Sequence, residues 1–184
     1  MFVGKLLAIV AAVFLFAAAP AGAQTTDPEN TLLMKLKDGT VTIQLRPDLA
    51  PNHVARLKEL TRKGFYDGLV FHRVIPGFMA QTGDPTGTGM GGSDLPDLKA
   101  EFTQTHFGRG IIGMARTNDP NSANSQFFIM FGDADSLDGQ YTVLGQVVSG
   151  MEFVDNIKKG DEGNNGMVDG PDKIISMKVA ADAQ

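Results

Sequence analysis

Two runs near the front of the chain, TLLMKLK and TVTIQLR, alternate apolar and polar residues with a period of two and flank Asp38-Gly39. Leu32, Met34 and Leu36 share one face of the first run; Val41, Ile43 and Leu45 share one face of the second. The pair reads as a half-buried antiparallel hairpin, with Asp-Gly suited to a tight turn at positive φ. The period then lengthens. In PNHVARLKELTRKG, Val54, Leu57 and Leu60 recur every three residues and Pro51 fits a first helical turn. Further strands are predicted at 69–74, 78–82, 111–115, 126–131, 142–147 and 173–179. A second helix is predicted over about 150–159, opened by a Ser149/Glu152 capping box and stopped by Gly160. Eight short strands and two helices, with no βαβ rhythm and no internal repeat, predict a mainly β fold. The expected form is a closed eight-stranded antiparallel β-barrel capped by two α-helices, because closure removes exposed sheet edges.

The first 23 residues stand apart from this pattern. Lys5 precedes an unbroken apolar run from Leu6 to Ala19, and Ala21-Gly22-Ala23 offers small residues for cleavage. The run is shorter than the roughly 20 residues that span a bilayer, so it reads as a signal peptide rather than an anchor. The expected organisation is a cleaved signal peptide at 1–23, a disordered leader at 24–30 (QTTDPEN) and one domain at 31–184. Export to the periplasm is the expected destination, with full secretion as the alternative. The formal net charge is −5, one unit more negative once Lys5 is removed, which disfavours nucleic acid or an anionic membrane surface as partner. With no cysteine, the chain has neither disulfide nor thiol chemistry.

The chemistry-bearing stretches are few. Gly87, Gly89 and Gly92 satisfy G-x-G-x-x-G, but Pro96 interrupts any helix after them and no βαβ unit surrounds them, so they read as a flexible loop. DEGNNGMVDGPD resembles a calcium loop at Asp161, Asn165 and Gly166, but fails at Gly163 and ends in Asp172. His53, His72 and His106 are far apart and lack metal-ligand spacing. No serine stands in G-x-S-x-G. Hence no metal and no cofactor is expected. The exception is FHRVIPGFMAQTGD, where Arg73 and Gln81 interrupt apolar sequence. Met79 and Gln81 share a strand face, and antiparallel pairing across Ile75-Pro76-Gly77 would bring Arg73 beside them. Spacing leaves two readings open: a functional pocket, or a structural arginine reaching solvent.

Four ordered blocks, FHRVIPGFMAQTGD, GTGMGG, GIIGMARTNDPNSANSQFFI and LDGQYTVLGQVVSGME, resemble those of the cyclophilin peptidyl-prolyl cis-trans isomerases, over essentially residues 31–179. The MART…SQFF segment, Tyr141 and the signal peptide are most similar to the bacterial periplasmic members. The resemblance implies an isomerase acting on Xaa-Pro bonds, with proline-containing unfolded or folding polypeptides as partners and a monomeric state. It makes Arg73 the catalytic residue and Gln81 its orienting neighbour. Phe78, Met79, Phe128 and Leu137 become the proline pocket, Ala115 and Arg116 backbone contacts to the residue before proline, and Gln126 and Tyr141 lining of the groove. Two positions depart from the eukaryotic pattern: Ser136 replaces a tryptophan that helps bind cyclosporin, so tight cyclosporin binding is not expected, and Tyr141 replaces a common histidine.

Overall fold

The computed structural model describes residues 27–183. The expected signal peptide at 1–23 lies outside them, as do residues 24–26 of the expected leader. Eight strands form in chain order: β1 (Thr31–Lys35), β2 (Thr40–Leu45), β3 (Arg73–Ile75), β4 (Met79–Thr82), β5 (Ile111–Met114), β6 (Phe127–Met130), β7 (Val143–Ser149) and β8 (Ser176–Val179). Helices α1 (Pro51–Arg62) and α2 (Met151–Asp155) complete the frame, and among the described residues no helix is long and apolar enough to cross a membrane.

All pairings are antiparallel, in the order β3-β4-β6-β5-β7-β2-β1-β8. The expected eightfold count holds, but the barrel is not closed. The sheet is open and curled, and its edge strands β3 and β8 are not laddered to each other. The predicted strands at 69–74 and 173–179 lose their first halves to irregular backbone. Gly64 and Gly68, both at positive φ, turn the chain before β3, and Pro171 precedes the other segment. Across the gap run isolated bridges, Val70 with Lys173 and Arg73 with Met167, and single bonds that include Gly68 N–H to Ile174 O (2.8 Å), Ile174 N–H to Leu69 O (2.9 Å), Phe71 N–H to Asp172 O (2.9 Å) and Val74 N–H to Gly166 O (2.7 Å). This covers the edges without a ladder. Register shifts between Thr42 and Ile43 and between Ile112 and Gly113 add bulges, which bend strands and increase their twist.

The first hairpin puts Leu32, Met34, Leu36, Val41, Ile43 and Leu45 into the core, as the alternation predicts. Its turn differs from expectation: Gly39 is not among the positive-φ residues. A Cβ there would lie 2.3 Å from the Phe153 ring, so glycine is needed for the close approach of α2. The predicted capping box also fails. Ser149 ends β7, and Gly150 at φ 83° opens α2, with Thr40 O too close for any Cβ (2.6 Å). Nor does Gly160 stop α2, which ends five residues earlier; Gly160 packs against the backbone of Gly166 and donates to Val74 O at 2.9 Å. α1 begins at Pro51 and buries Val54, Leu57 and Leu60 as its spacing predicts. Its first turn is held from the long loop: the Glu101 carboxylate accepts from Asn52 N–H (3.2 Å) and His53 N–H (3.1 Å).

Part of the leader belongs to the fold. Asp27 caps a 3-10 turn at Pro28–Asn30, and Glu29 pairs with Lys58 (2.9 Å) and Arg62 (2.7 Å) on α1. Arg62 also holds Asp182 near the C-terminus (2.8 Å), so charge pairing orders a polar stretch that hydropathy reads as free.

A second apolar cluster lies on the outer side of β4, β5 and β6: Met79, Phe107, Phe128, Met130 and Val143. Gly113 makes it possible, because a Cβ there would stand 2.3 Å from the Phe128 ring and 2.7 Å from Phe107. Gly113→Ala is therefore expected to cost about 1–3 kcal/mol, the usual range for overpacking. Denaturant melts check the cost, and displacement of Phe128 in a structure of the variant checks its cause.

Candidate active site

The site is a row across the sheet. Arg73 on β3 pairs with Gln81 on β4, Gln81 with Phe128 on β6, and Phe128 with Gly113 on β5. Paired residues point to the same face, so these side chains line up on one surface. The β3–β4 turn fixes the register: Phe78 N–H bonds Ile75 O at 3.1 Å around Pro76 and Gly77, the latter at φ 71°. Proline at the second position and a positive-φ glycine at the third is the type II pattern.

Phe128 is the floor of a cavity of about 170 Å³ lined by Arg73, Phe78, Met79, Gln81, Ala115, Arg116, Phe128, Leu137 and Tyr141. Its ring stacks on Phe107 (centroids 5.9 Å apart) and meets Tyr141 edge-on at 5.7 Å, so its position is set by packing. The cavity suits one small apolar ring, being smaller than the pockets that take drug-sized ligands. Nine of the ten sequence-expected residues converge here. The tenth, Gln126, lies one step back and lines an adjoining cavity of about 340 Å³ that shares Gln81, Ala115 and Arg116. Ser136 is exposed in the short turn Asp135–Leu137 beside the pocket.

Arg73 reaches the pocket without meeting an acid. Its Nη1 donates to Gln81 Oε1 (3.2 Å), its Nε to Asn165 O (3.0 Å) and its Nη2 to Asn165 Oδ1 (3.0 Å). Among the described residues no carboxylate lies within ion-pair distance of it. Partial burial lowers its pKa from the ordinary value, yet a guanidinium stays charged at any physiological pH. Of the two readings the spacing left open, the arginine lines a pocket. Its principal anchor is Asn165, which the sequence marks only as a calcium-loop position. Here Asp161 instead caps a 3-10 turn at Glu162–Asn164, and Asn165 takes a left-handed conformation at φ 53° that aims both its oxygens at the guanidinium. Asn-Gly is the signal that could have marked the turn; nothing in the sequence marks its target.

Gln81 is held in turn. Its Nε2 donates to Gln126 Oε1 (2.9 Å), and Gln126 Nε2 donates to Gly89 O (3.0 Å) and Gly91 O (2.8 Å). The glycine loop is wound around Asp84, whose carboxylate accepts from Thr86 N–H (2.7 Å), Thr88 N–H (3.0 Å) and Gly89 N–H (2.6 Å). Burial alone would raise the Asp84 carboxyl, but bonds from Thr86 and the loop backbone bring it down to about 2. The GTGMGG glycines thus serve a carboxylate-centred loop between β4 and β5, with no helix following it as a dinucleotide motif requires.

The histidines do not converge. His53 is buried against Glu101 (2.7 Å), His72 is buried beneath the glycine loop, and His106 is exposed beside Asp138 (3.0 Å). Burial pushes both His53 and His72 below the ordinary histidine value, outweighing Glu101 and Asp84 respectively, while the bond to Asp138 raises His106.

The family model for "Cyclophilin type peptidyl-prolyl cis-trans isomerase/CLD" matches residues 31–179. A "Probable peptidyl-prolyl cis-trans isomerase" of Brucella suis is 56% identical over 194 residues, covering 100% of this chain and 99% of its own. Peptidyl-prolyl cis-trans isomerase cypE of Dictyostelium discoideum is 39% identical, with 77% of this chain and 92% of its own covered. Among solved structures, a cyclophilin from Hirschia baltica superposes with TM-score 0.76 at 29% identity, covering 85% of this chain and 76% of that one. A cyclophilin-type isomerase of Cryptosporidium parvum, solved in the presence of the dipeptide Ala-Pro, superposes with TM-score 0.74 at 27% identity, covering 81% of this chain and 98% of that one. The chain belongs to the cyclophilin-type peptidyl-prolyl cis-trans isomerases, and its activity is isomerisation about Xaa-Pro bonds.

The buried histidines give the stability a direction with pH. Unfolded, His53 and His72 bind protons near the free value of about 6.5; folded, they bind them less readily. The unfolded state then holds more protons, so this stability is present above about pH 6.5 and lost as pH falls below it. His106, raised in the fold, acts in the opposite sense. In a His106→Asn variant the melting temperature is expected to drop between about pH 7.5 and about pH 5, above the range where Asp84 and Glu101 titrate. Calorimetry across that interval checks it; a flat profile would contradict the assignment.

Proposed function

We propose that Arg73 is the catalytic group of this isomerase, acting on a proline ring held by Phe78, Met79, Phe128 and Leu137, and that the chain assists the folding of exported proteins. Rotation about Xaa-Pro breaks amide resonance, against a barrier of about 18–20 kcal/mol. At the twisted midpoint the prolyl nitrogen becomes pyramidal and gains a lone pair. A cation aimed at that atom favours the twisted form over both planar ones, which is the condition for catalysis. No bond is cleaved, so neither nucleophile nor proton shuttle is required. Gln81 and Asn165 orient the guanidinium, Ala115 and Arg116 face the residue before proline, and Gln126 and Tyr141 complete the groove.

The observation that carries this reading is the guanidinium lining a largely apolar pocket, bonded only to neutral acceptors. An acid partner would neutralise the field the mechanism uses. The Ala-Pro dipeptide present with the Cryptosporidium parvum relative supports a proline-containing substrate here. Arg73→Ala is expected to cut kcat/KM on an Xaa-Pro peptide by about 10²–10³, like loss of one strong transition-state donor, with the fold retained. Full activity in a folded variant would remove Arg73 from the mechanism.

The periplasm is the proposed compartment, supported by the charged start, apolar run and small-residue cleavage pattern of residues 1–23. Fractionation of cells expressing the full chain should place a shortened mature form, beginning near Gln24, in the periplasmic fraction. A cytoplasmic, full-length product would contradict export.

A further inference from the structure

Arg116 stands on the wall shared by the proline cavity and its larger neighbour. Its guanidinium carbon lies 4.5 Å over the Tyr141 ring and 5.7 Å from that of Phe102, which holds the group flat against aromatic surface. Nε and Nη2 donate to Gln140 O (3.3 and 2.9 Å) and Nη1 to Thr117 O (2.8 Å). Three of five N–H groups are thereby used, leaving one on each Nη. Carbonyls and rings fix the side chain without cancelling its charge. Lys37, Arg46, Lys58, Arg62 and Arg109 each meet a carboxylate; among the described residues Arg116 meets none. The carboxylates of Asp97, which lines the larger cavity, and Asp119 accept from Asn124 (2.9 Å) and Asn121 N–H (2.8 Å) and form no ion pair with Arg116. With Arg73, this gives a groove with two cations that have no ion-pair partner among the described residues, on a chain of net charge −5.

We infer that Arg116 makes the enzyme selective for an acidic side chain on the residue immediately preceding proline. The inference rests on the proposed reading of the site, in which the cavity takes proline and Ala115 and Arg116 face the residue before it. An anionic side chain there gains the two spare N–H donors and the unscreened charge; a lysine side chain meets repulsion from the same group.

The test compares kcat/KM on Ala-Glu-Pro-Phe, Ala-Gln-Pro-Phe and Ala-Lys-Pro-Phe peptides for the wild type and Arg116→Gln, whose amide can still donate to Gln140 O. The wild type is expected to favour Glu over Lys by about two- to fivefold, the scale of an exposed charge pair. That ratio should fall toward one between roughly 0.01 M and about 1 M salt, as the Debye length shrinks from about 30 to about 3 Å. It should also fall toward one in Arg116→Gln at low salt, an effect that loss of packing alone would not produce. Equal turnover of the Glu and Lys peptides by the wild type, or a preference that survives in Arg116→Gln, would overturn the inference. Turnover of none of the three peptides would instead overturn the reading of the pocket, and this inference with it.

Discussion

An arginine whose bonds run to the side-chain oxygen of Gln81 and to the two oxygens of Asn165 keeps its full charge while losing its freedom to move. Partial burial of a cation is costly unless its donors are satisfied, and a carboxylate would be the cheapest way to satisfy them. Amide oxygens are the costlier choice energetically, but they leave the field outside the guanidinium undiminished. Much of the surrounding structure stems from that choice. Asn165 needs a left-handed backbone to present both oxygens, and Gln81 needs Gln126 to fix its amide. Gln126 in turn needs the glycine loop, and the loop needs Asp84 at its centre.

The sheet supplies the rigidity on which this chain of amides depends. Arg73, Gln81, Phe128 and Gly113 form a single cross-strand row, so β-ladder register rather than loop conformation sets their spacing. Bulges curl the sheet, and the missing side chain at Gly113 lets Phe128 lie close to the strand and stack on Phe107. The edges meet through isolated bridges rather than a ladder. The Gly166–Val74 bond at 2.7 Å in that seam also sets the backbone beside Asn165. The seam of the sheet and the anchoring of Arg73 are one piece of structure.

Much of this was legible in sequence because it rests on short-range periodicity. The period-two alternation of Leu32, Met34, Val41 and Ile43 and the period-three recurrence in α1 report burial directly. The Ile75-Pro76-Gly77 turn fixes which residues of β3 and β4 face each other, so Arg73 beside Gln81 could be read from spacing. What escaped depends on contacts between distant segments. Glycine at 39 answers to the Phe153 ring and glycine at 150 to the backbone of Thr40, neither of which local turn rules can see. Asn165 lies 92 residues from the arginine it holds, and Glu29 is ordered by cations on α1. Barrel closure failed for a related reason: strand count bounds a topology, but whether the first and last edges ladder depends on backbone irregularity between elements.

Rotating an amide asks for a fixed field and a fixed ring, with no proton to move, and the distribution of titratable groups agrees with that demand. The groups that line the pocket are two always-charged guanidiniums, one amide, aromatic rings and apolar side chains. His72, next to Arg73 in the chain, is buried, and desolvation disfavours its charged form. Asp84, which organises the loop, is ionised down to about pH 2 because its oxygens are saturated by N–H and O–H donors. Chemistry and architecture are thereby separated along the pH axis: the field at the pocket is constant over the physiological range, and acid acts on the enzyme through the histidines that support the fold. A site that needed a general acid or base would have to place a titrating group at the reacting atom and accept a pH optimum. The proposed mechanism avoids that constraint by using a charge that does not titrate, and the neutral acceptors around Arg73 keep that charge available.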